Sequence, residues 1–246
     1  MTTYEKLLQI KNEKGAGYIV LLDPDKQPIE KSVSLASMAE NEGADAIFIG
    51  GSLLFFSRFD DFVAQIKSHV SIPVVIFPGG TNQVSRNADA ILFMSIINSY
   101  NPEVIIGQQV KAAPVIKLTG LEPISTAYML IESGKMTSAE FMSNTRPIPR
   151  EKADIAVAYS LTAEFFGMKL IYLEAGSGAM QPVPNEMIHA VNKYVSIPLI
   201  VGGGIKSPDI AREKVEAGAS FVVTGNVLEK NVDKGRIREF AQAIHN

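Results

Sequence analysis

Along the chain, short apolar runs alternate with longer stretches in which apolar positions recur every three or four residues. The runs fall at residues 18–22, 46–49, 73–77, 90–97, 115–118 together with 124–131, 170–173, 198–201 and 221–224. Most are continuous rather than alternating, and rich in valine and isoleucine. A strand that is apolar on both faces belongs in a parallel sheet covered on both sides. The periodic stretches at 29–42, 59–70, 102–112, 151–166, 182–195 and 208–217 predict the covering helices, with two more around Ile10 and at 235–244. About eight strands alternating with helices in 246 residues is the count of a single-domain (β/α)8 TIM barrel spanning residues 1–246. An open, doubly wound sheet uses the same alternation and is the competing arrangement.

Two details favour the barrel. Residues 70–80 (VSIPVVIFPGG) resemble residues 195–205 (VSIPLIVGGGI), about half the chain away. That is the separation of strands three and seven, although convergence on Ser-Ile-Pro before a buried strand explains the likeness equally well. The glycines also cluster just after the runs: Gly50 and Gly51, Gly79 and Gly80, Gly176, Gly202 to Gly204, and Gly225. Tight strand-to-loop turns and close approach of backbone to a ligand both call for glycine. One segment departs from a regular barrel. Residues 78–88 (PGGTNQVSRNA) are too short and irregular for a full crossover helix. They predict a modified barrel with the third helix short or absent.

Composition narrows the function classes. Hydrophobic residues make up 46% and charged residues 20%, as in an ordinary globular enzyme rather than a disordered chain. The net charge is −3 and the isoelectric point about 5.7, which argues against nucleic acid as a partner. Without cysteine there is no disulfide, thiolate nucleophile or Cys-ligated metal. No apolar run approaches the ~18 residues of a spanning helix. The opening MTTYEKLLQIKNEK is charged, unlike a secretory signal. A cytoplasmic protein is expected, with at most peripheral membrane contact.

Candidate chemistry lies at the C-terminal ends of the predicted strands, the active face of such a barrel. After strands seven and eight come Gly202-Gly203-Gly204 and Gly225-Asn226. Loops at these two places often hold a phosphate through backbone amides; a pair of tight turns is the plainer reading. No Gly-Lys-Ser/Thr nucleotide loop is present. At the end of strand one, Asp23 and Asp25 offer the oxygen ligands that Mg2+ prefers, and Ser52 after strand two could join them. An Asp-Pro turn explains the same residues without a metal. Tyr172 and Glu174 share one side of strand six, so both can face one ligand, and Glu174 can accept a proton from a bound hydroxyl. A salt-bridged glutamate is the alternative. His69, His189 and His245 all lie away from strand ends. The apolar residues 53–56, with residues 94–100 after strand four, either line a groove for a hydrocarbon tail or form a packing surface.

Taken in order, Leu-Leu-Asp-Pro-Asp-Lys (21–26), Gly-Gly-Ser (50–52), Asn-Ser-Tyr-Asn-Pro (98–102), Tyr-Leu-Glu-Ala-Gly-Ser-Gly (172–178), Val-Gly-Gly-Gly-Ile (201–205) and Thr-Gly-Asn (224–226) resemble the geranylgeranylglyceryl phosphate synthase family, to which the heptaprenylglyceryl phosphate synthases are related. The resemblance covers residues 18–228. It implies a barrel lacking one regular helix. It also implies Mg2+-dependent transfer of a prenyl group, geranylgeranyl being the expected one, from its diphosphate to the 3-hydroxyl of sn-glycerol 1-phosphate, in a homo-oligomer. By motif, Asp23 and Ser52 would hold the metal. Tyr172, Leu173, Glu174, Ala175, Gly176, Ser177, Gly178, Gly203, Gly204, Gly225 and Asn226 would hold glycerol phosphate, with Glu174 as catalytic base. One position departs: the heptaprenyl enzymes carry lysine where this chain has Leu21, so Lys26 is expected to take part of the anion-binding role. Without the resemblance, two other readings stay open: an isomerase or lyase of a phosphorylated metabolite, and a non-catalytic phosphometabolite-binding barrel.

Overall fold

The computed structural model describes residues 1–229 and 233–245. Eight parallel strands close into a barrel in sequence order: β1 (Gly17–Leu22), β2 (Ala46–Ile49), β3 (Val74–Ile76), β4 (Ala90–Ile96), β5 (Glu122–Leu130), β6 (Leu170–Glu174), β7 (Leu199–Gly202) and β8 (Phe221–Thr224). Closure is made by β8 pairing with β1, Tyr18 opposite Val222. The two similar Ser-Ile-Pro segments lead into β3 and β7, as their spacing predicts.

The helices are α1 (Thr3–Lys14), α2 (Ile29–Asn41), α3 (Phe59–Lys67), α4 (Gln108–Thr119), α5 (Ser138–Ser143), α6 (Ala153–Phe165), α7 (Asn185–Tyr194), α8 (Pro208–Glu216), the single turn α9 (Asn226–Glu229) and α10 (Lys234–Ile244). Their starts follow local chemistry. Thr2 and Glu5 form a reciprocal cap on α1, and Ser207 accepts the Ile210 amide ahead of Pro208 at the first position of α8. No helix among the described residues is long and apolar enough to cross a membrane.

Strand alternation divides the core in two. One set, including Ile19, Phe48, Val75, Leu92, Leu170, Tyr172 and Ile200, fills the barrel. The other, including Tyr18, Val20, Ile47, Val74, Ile171, Leu173 and Val201, packs outward against the helices. This explains why the runs are continuous: each face of every strand has a layer to bury. Helix α1 covers the bottom of the barrel, where Leu7 joins the interior set.

Three expectations need correcting or sharpening. Residues 115–118 are not strand; they are the last turns of α4, with Leu118 86% exposed. A continuous apolar run reads as a buried strand, yet here it continues a helix past Pro114, with Ile116 as its buried residue. That helix is entered through a wider turn at Glu103–Gly107. Helix α5 has no counterpart in the periodic stretches. As predicted, no helix follows β3: residues 77–89 reach β4 through turns and bends alone.

Candidate active site

A cavity of about 810 Å³ opens at the C-terminal face. Its floor is a cluster of aromatic rings from inward strand positions. Phe77 stacks on Tyr172 at 5.1 Å between ring centres, and Tyr128 and Phe48 flank them at 5.9 and 6.1 Å from Phe77.

Glu174 rises from this floor at the end of β6. It is buried, and burial pushes its carboxyl up to about 7; the Gly176 amide, which donates to it at 2.5 Å, and the neighbouring Tyr172 pull the other way. The Tyr172 hydroxyl is buried without a hydrogen-bond partner. Burial, and then the charge of Glu174, keep it far from ionising. A β-carbon added at Gly202 would strike that hydroxyl and lie 2.9 Å from the Glu174 carboxylate, so the two groups meet beneath the β7 loop. Gly203 continues that loop at φ +82°, and any side chain there would collide with Glu174 and the Gly176 backbone. Ser177 and the Asn226 side chain are hydrogen-bonded at 3.0 Å, tying the β6 loop to the β8 loop. Gly176, Ser177, Gly178, Gly203, Gly204, Gly225 and Asn226 thus line one polar pocket with Tyr172 and Glu174.

Leu173 and Ala175 do not join them. The two-residue period of the strand turns their side chains into the layer between barrel and helices, so the structure brings neither to the cavity wall.

Across the mouth, Asp23 lies against Gly51, next to Ser52, and all three line the cavity. Burial raises the Asp23 carboxyl, against the Asp25 amide, which donates to it at 3.0 Å, and the nearby Lys26. Its second oxygen has no partner among the described residues. Asp25 is diverted: its carboxylate accepts the amides of Phe55 and Phe56, each at 2.7 Å. Among the described residues no cluster of three or more His, Cys, Asp or Glu side chains is placed to hold a metal alone. A carboxylate oxygen beside a hydroxyl is nonetheless a donor pair that suits a hard cation whose remaining ligands are water and phosphate oxygens.

The rest of the cavity is apolar. Residues 53–56 split: Leu53 and Phe55 face it, whereas Leu54 and Phe56 pack on the core. Leu92 and Met94 from the inner face of β4 and Ile91 and Phe93 from its outer face all line the same space. The cavity therefore spills over β4 where the third helix is missing, forming a trench walled by Val104, Ala112 and Ile116.

Sequence reasoning missed several contributors. Gln83, buried in the helix-less segment, clamps Gly51 through both its amide nitrogen and its oxygen, at 2.8 and 3.3 Å. Asn98 donates to the carbonyls of Leu130 and Arg146 and accepts the Leu130 amide, fixing the end of β5. Helix α5 places Ser138, Ala139 and Met142 on the cavity. Only Asn98 had a signal, its place in the 98–102 motif.

Fold and site together define a TIM barrel in which a glycine-lined polar pocket opens into an apolar trench. The chain belongs to the PcrB family, whose model matches residues 8–244. It is 43% identical to a geranylgeranylglyceryl phosphate synthase from Chitinophaga pinensis, over 98% of this chain and 95% of that one. It is 44% identical to the protein of the same name from Pyrococcus horikoshii, with the same coverage. The crystal structure of (S)-3-O-geranylgeranylglyceryl phosphate synthase from Thermoplasma acidophilum, in complex with its substrate sn-glycerol-1-phosphate, superimposes with a TM-score of 0.94 at 35% identity, covering 100% of this chain and 99% of that one.

Proposed function

We propose that this protein transfers a geranylgeranyl group from its diphosphate to the 3-hydroxyl of sn-glycerol 1-phosphate, releasing diphosphate. The observation that carries this reading is one continuous cavity with a buried, proton-accepting carboxylate at its polar end and an apolar trench at the other. The names of the relatives, and the acceptor bound to the Thermoplasma acidophilum enzyme, support it.

The acceptor's phosphate sits against the glycine loops after β6, β7 and β8. That directs its 3-hydroxyl toward Glu174 and the unpartnered Tyr172 hydroxyl. The prenyl tail lies in the trench, its diphosphate near Asp23, Ser52 and Lys26. Asp23 and Ser52 would hold Mg2+, which when bound would neutralise charge developing on the departing diphosphate. The allylic carbon becomes cation-like as its bond to the diphosphate oxygen breaks. Apolar walls keep water from it. The acceptor oxygen forms the new carbon–oxygen bond, and its proton passes to Glu174. A carboxyl raised by burial to about 7 is matched to that task.

The test is incubation with sn-glycerol 1-phosphate and prenyl diphosphates of graded length, with Mg2+ and with EDTA. The reading requires a prenyl ether product that rises toward twenty-carbon donors and disappears in EDTA. Absence of ether product with every donor would overturn it.

A further inference from the structure

The acceptor pocket has a charge problem. A phosphate monoester carries about −1.5 to −2 at neutral pH. The glycine loops offer only amide dipoles. The charged groups lining the cavity are Asp23, Asp25 and Glu174 against Lys26 and Lys206, but Lys26 lies beside Asp23 at the donor end and Lys206 is engaged by the Met180 carbonyl.

We infer that Lys135 is a phosphate-binding residue for the acceptor, supplying the countercharge that the glycine loops lack. Lys135 lies on the loop between β5 and α5, outside every motif recognised in the sequence. Gly178 serves as a ruler: a β-carbon placed on it would lie 3.6 Å from the Lys135 ammonium nitrogen and 3.9 Å from the Asn226 amide nitrogen. Two side-chain donors from different loops therefore converge over the β6 turn.

The backbone holds the lysine there. The Lys135 carbonyl accepts the Ser133 hydroxyl at 3.2 Å, and the Ser133 carbonyl accepts the Gln181 amide from the β6 loop, also at 3.2 Å. On the other side, Thr137 and Glu140 cap α5 reciprocally, and the Thr137 side chain packs against Gly176. The ammonium itself has no carboxylate or carbonyl partner among the described residues. Lys206, the other cation on this side of the mouth, donates to the Met180 carbonyl at 3.2 Å.

This inference rests on the acceptor proposed above, so binding and turnover are measured separately. Calorimetric titration with sn-glycerol 1-phosphate, without donor, should show affinity falling about 10- to 30-fold in Lys135→Ala and staying within about three-fold of wild type in Lys135→Arg. In turnover, Lys135→Ala should raise the acceptor KM by the same factor, leaving kcat and the donor KM within about three-fold, because the phosphate contact is equal in ground and transition states. Unchanged acceptor affinity in Lys135→Ala overturns the role of Lys135. So does a parallel fall in kcat or rise in donor KM, which would mark a residue that merely holds its loop. Wild type that binds the acceptor but forms no ether overturns the transferase reading while still deciding on Lys135; wild type that does not bind it overturns both.

Discussion

The two ends of the barrel treat their carboxylates in opposite ways. At the bottom, Asp45, just ahead of β2, takes Lys14 at 2.5 Å, the Tyr18 amide at 2.7 Å and His245 at 2.8 Å. Asp89, just ahead of β4, takes Lys67 and the Val74 amide, both at 2.7 Å. Glu122, opening β5, receives the amides of Thr3 and Tyr4 at 2.6 and 3.2 Å, fastening α1 across the barrel. At the top, Glu174 and Asp23 accept one amide each and are pushed upward by burial. Strand starts at the bottom thus carry saturated carboxylates, and strand ends at the top carry under-served ones. The bottom holds the fold together; the top leaves acceptor capacity unused by the protein itself.

Glu174→Gln gives the largest expected effect. It keeps the shape and removes the base, so kcat should fall about 100- to 10,000-fold with donor affinity nearly intact. In wild type, kcat/KM for the acceptor should rise as pH increases through about 7, and that rise should vanish in the variant. Stability should move the other way. A carboxyl raised in the folded state binds its proton more tightly there than in the unfolded chain. Folding therefore loses stability as pH climbs from the ordinary carboxylate range through about 7. At pH 8 the glutamine variant should melt no lower than wild type. A variant that is active within a few-fold, or that melts much lower, would place Glu174 among the structural carboxylates of the bottom.

Asp23→Asn should lower activity about 100-fold, with part of it recovered by excess Mg2+, because the diphosphate and Ser52 still offer oxygens. Full activity of this variant, or of wild type in EDTA, removes the metal from Asp23.

Asp45→Asn probes the other end and should leave kcat alone. Burial pushes the Asp45 carboxyl up, but His245, Lys14 and the Tyr18 amide outweigh it and hold the group below its usual value. Its stabilisation is present above the ordinary carboxylate range and is lost as pH falls through the lowered value. At pH 7 the variant should lose about 2–3 kcal/mol, or about 4–12 °C in Tm for a chain of this size. The difference from wild type should shrink in acid. A variant with unchanged Tm at pH 7 would show that the bottom is not where the fold is secured.

The barrel was legible because burial on both strand faces writes itself as continuous apolar runs. The missing helix was legible because residues 78–88 offer neither length nor period. The polar pocket was legible because glycines gather at several strand ends on one face of the barrel, and Tyr172 and Glu174 follow from strand alternation alone. That same alternation sets Leu173 and Ala175 aside, a distinction a motif cannot make. Residues 115–118 were misread because an apolar run carries no mark of whether it is buried. Gln83 and Lys135 were out of reach for a different reason. Their partners, Gly51 and the β6 loop, are distant in sequence, and neither residue type announces a role by itself.

The smallest expected effect belongs to Asp25, two residues past Asp23 and opposite in behaviour. Its carboxylate is already satisfied by the amides of Phe55 and Phe56. Unlike Glu174 and Asp23 it is well served, and its service holds the loop that follows Ser52. Phe55 on that loop is 83% exposed and lines the cavity mouth, so nothing else buries it in place. Asp25→Ala should free both amides to solvent. Because the pair is exposed, water replaces much of what is lost, and Tm should shift by no more than about 1–2 °C. The donor KM should rise a few-fold while the acceptor KM holds, since the loop borders the donor end of the cavity alone. Hydrogen exchange at Phe55 and Phe56 should quicken in the variant. If exchange quickens and the donor KM does not move, the loop plays no part in holding the donor, and the upper end keeps its open carboxylates without help from Asp25. If the acceptor KM moves instead, the two halves of the cavity are coupled through this loop, and the division between polar pocket and apolar trench is less sharp than their geometry makes it.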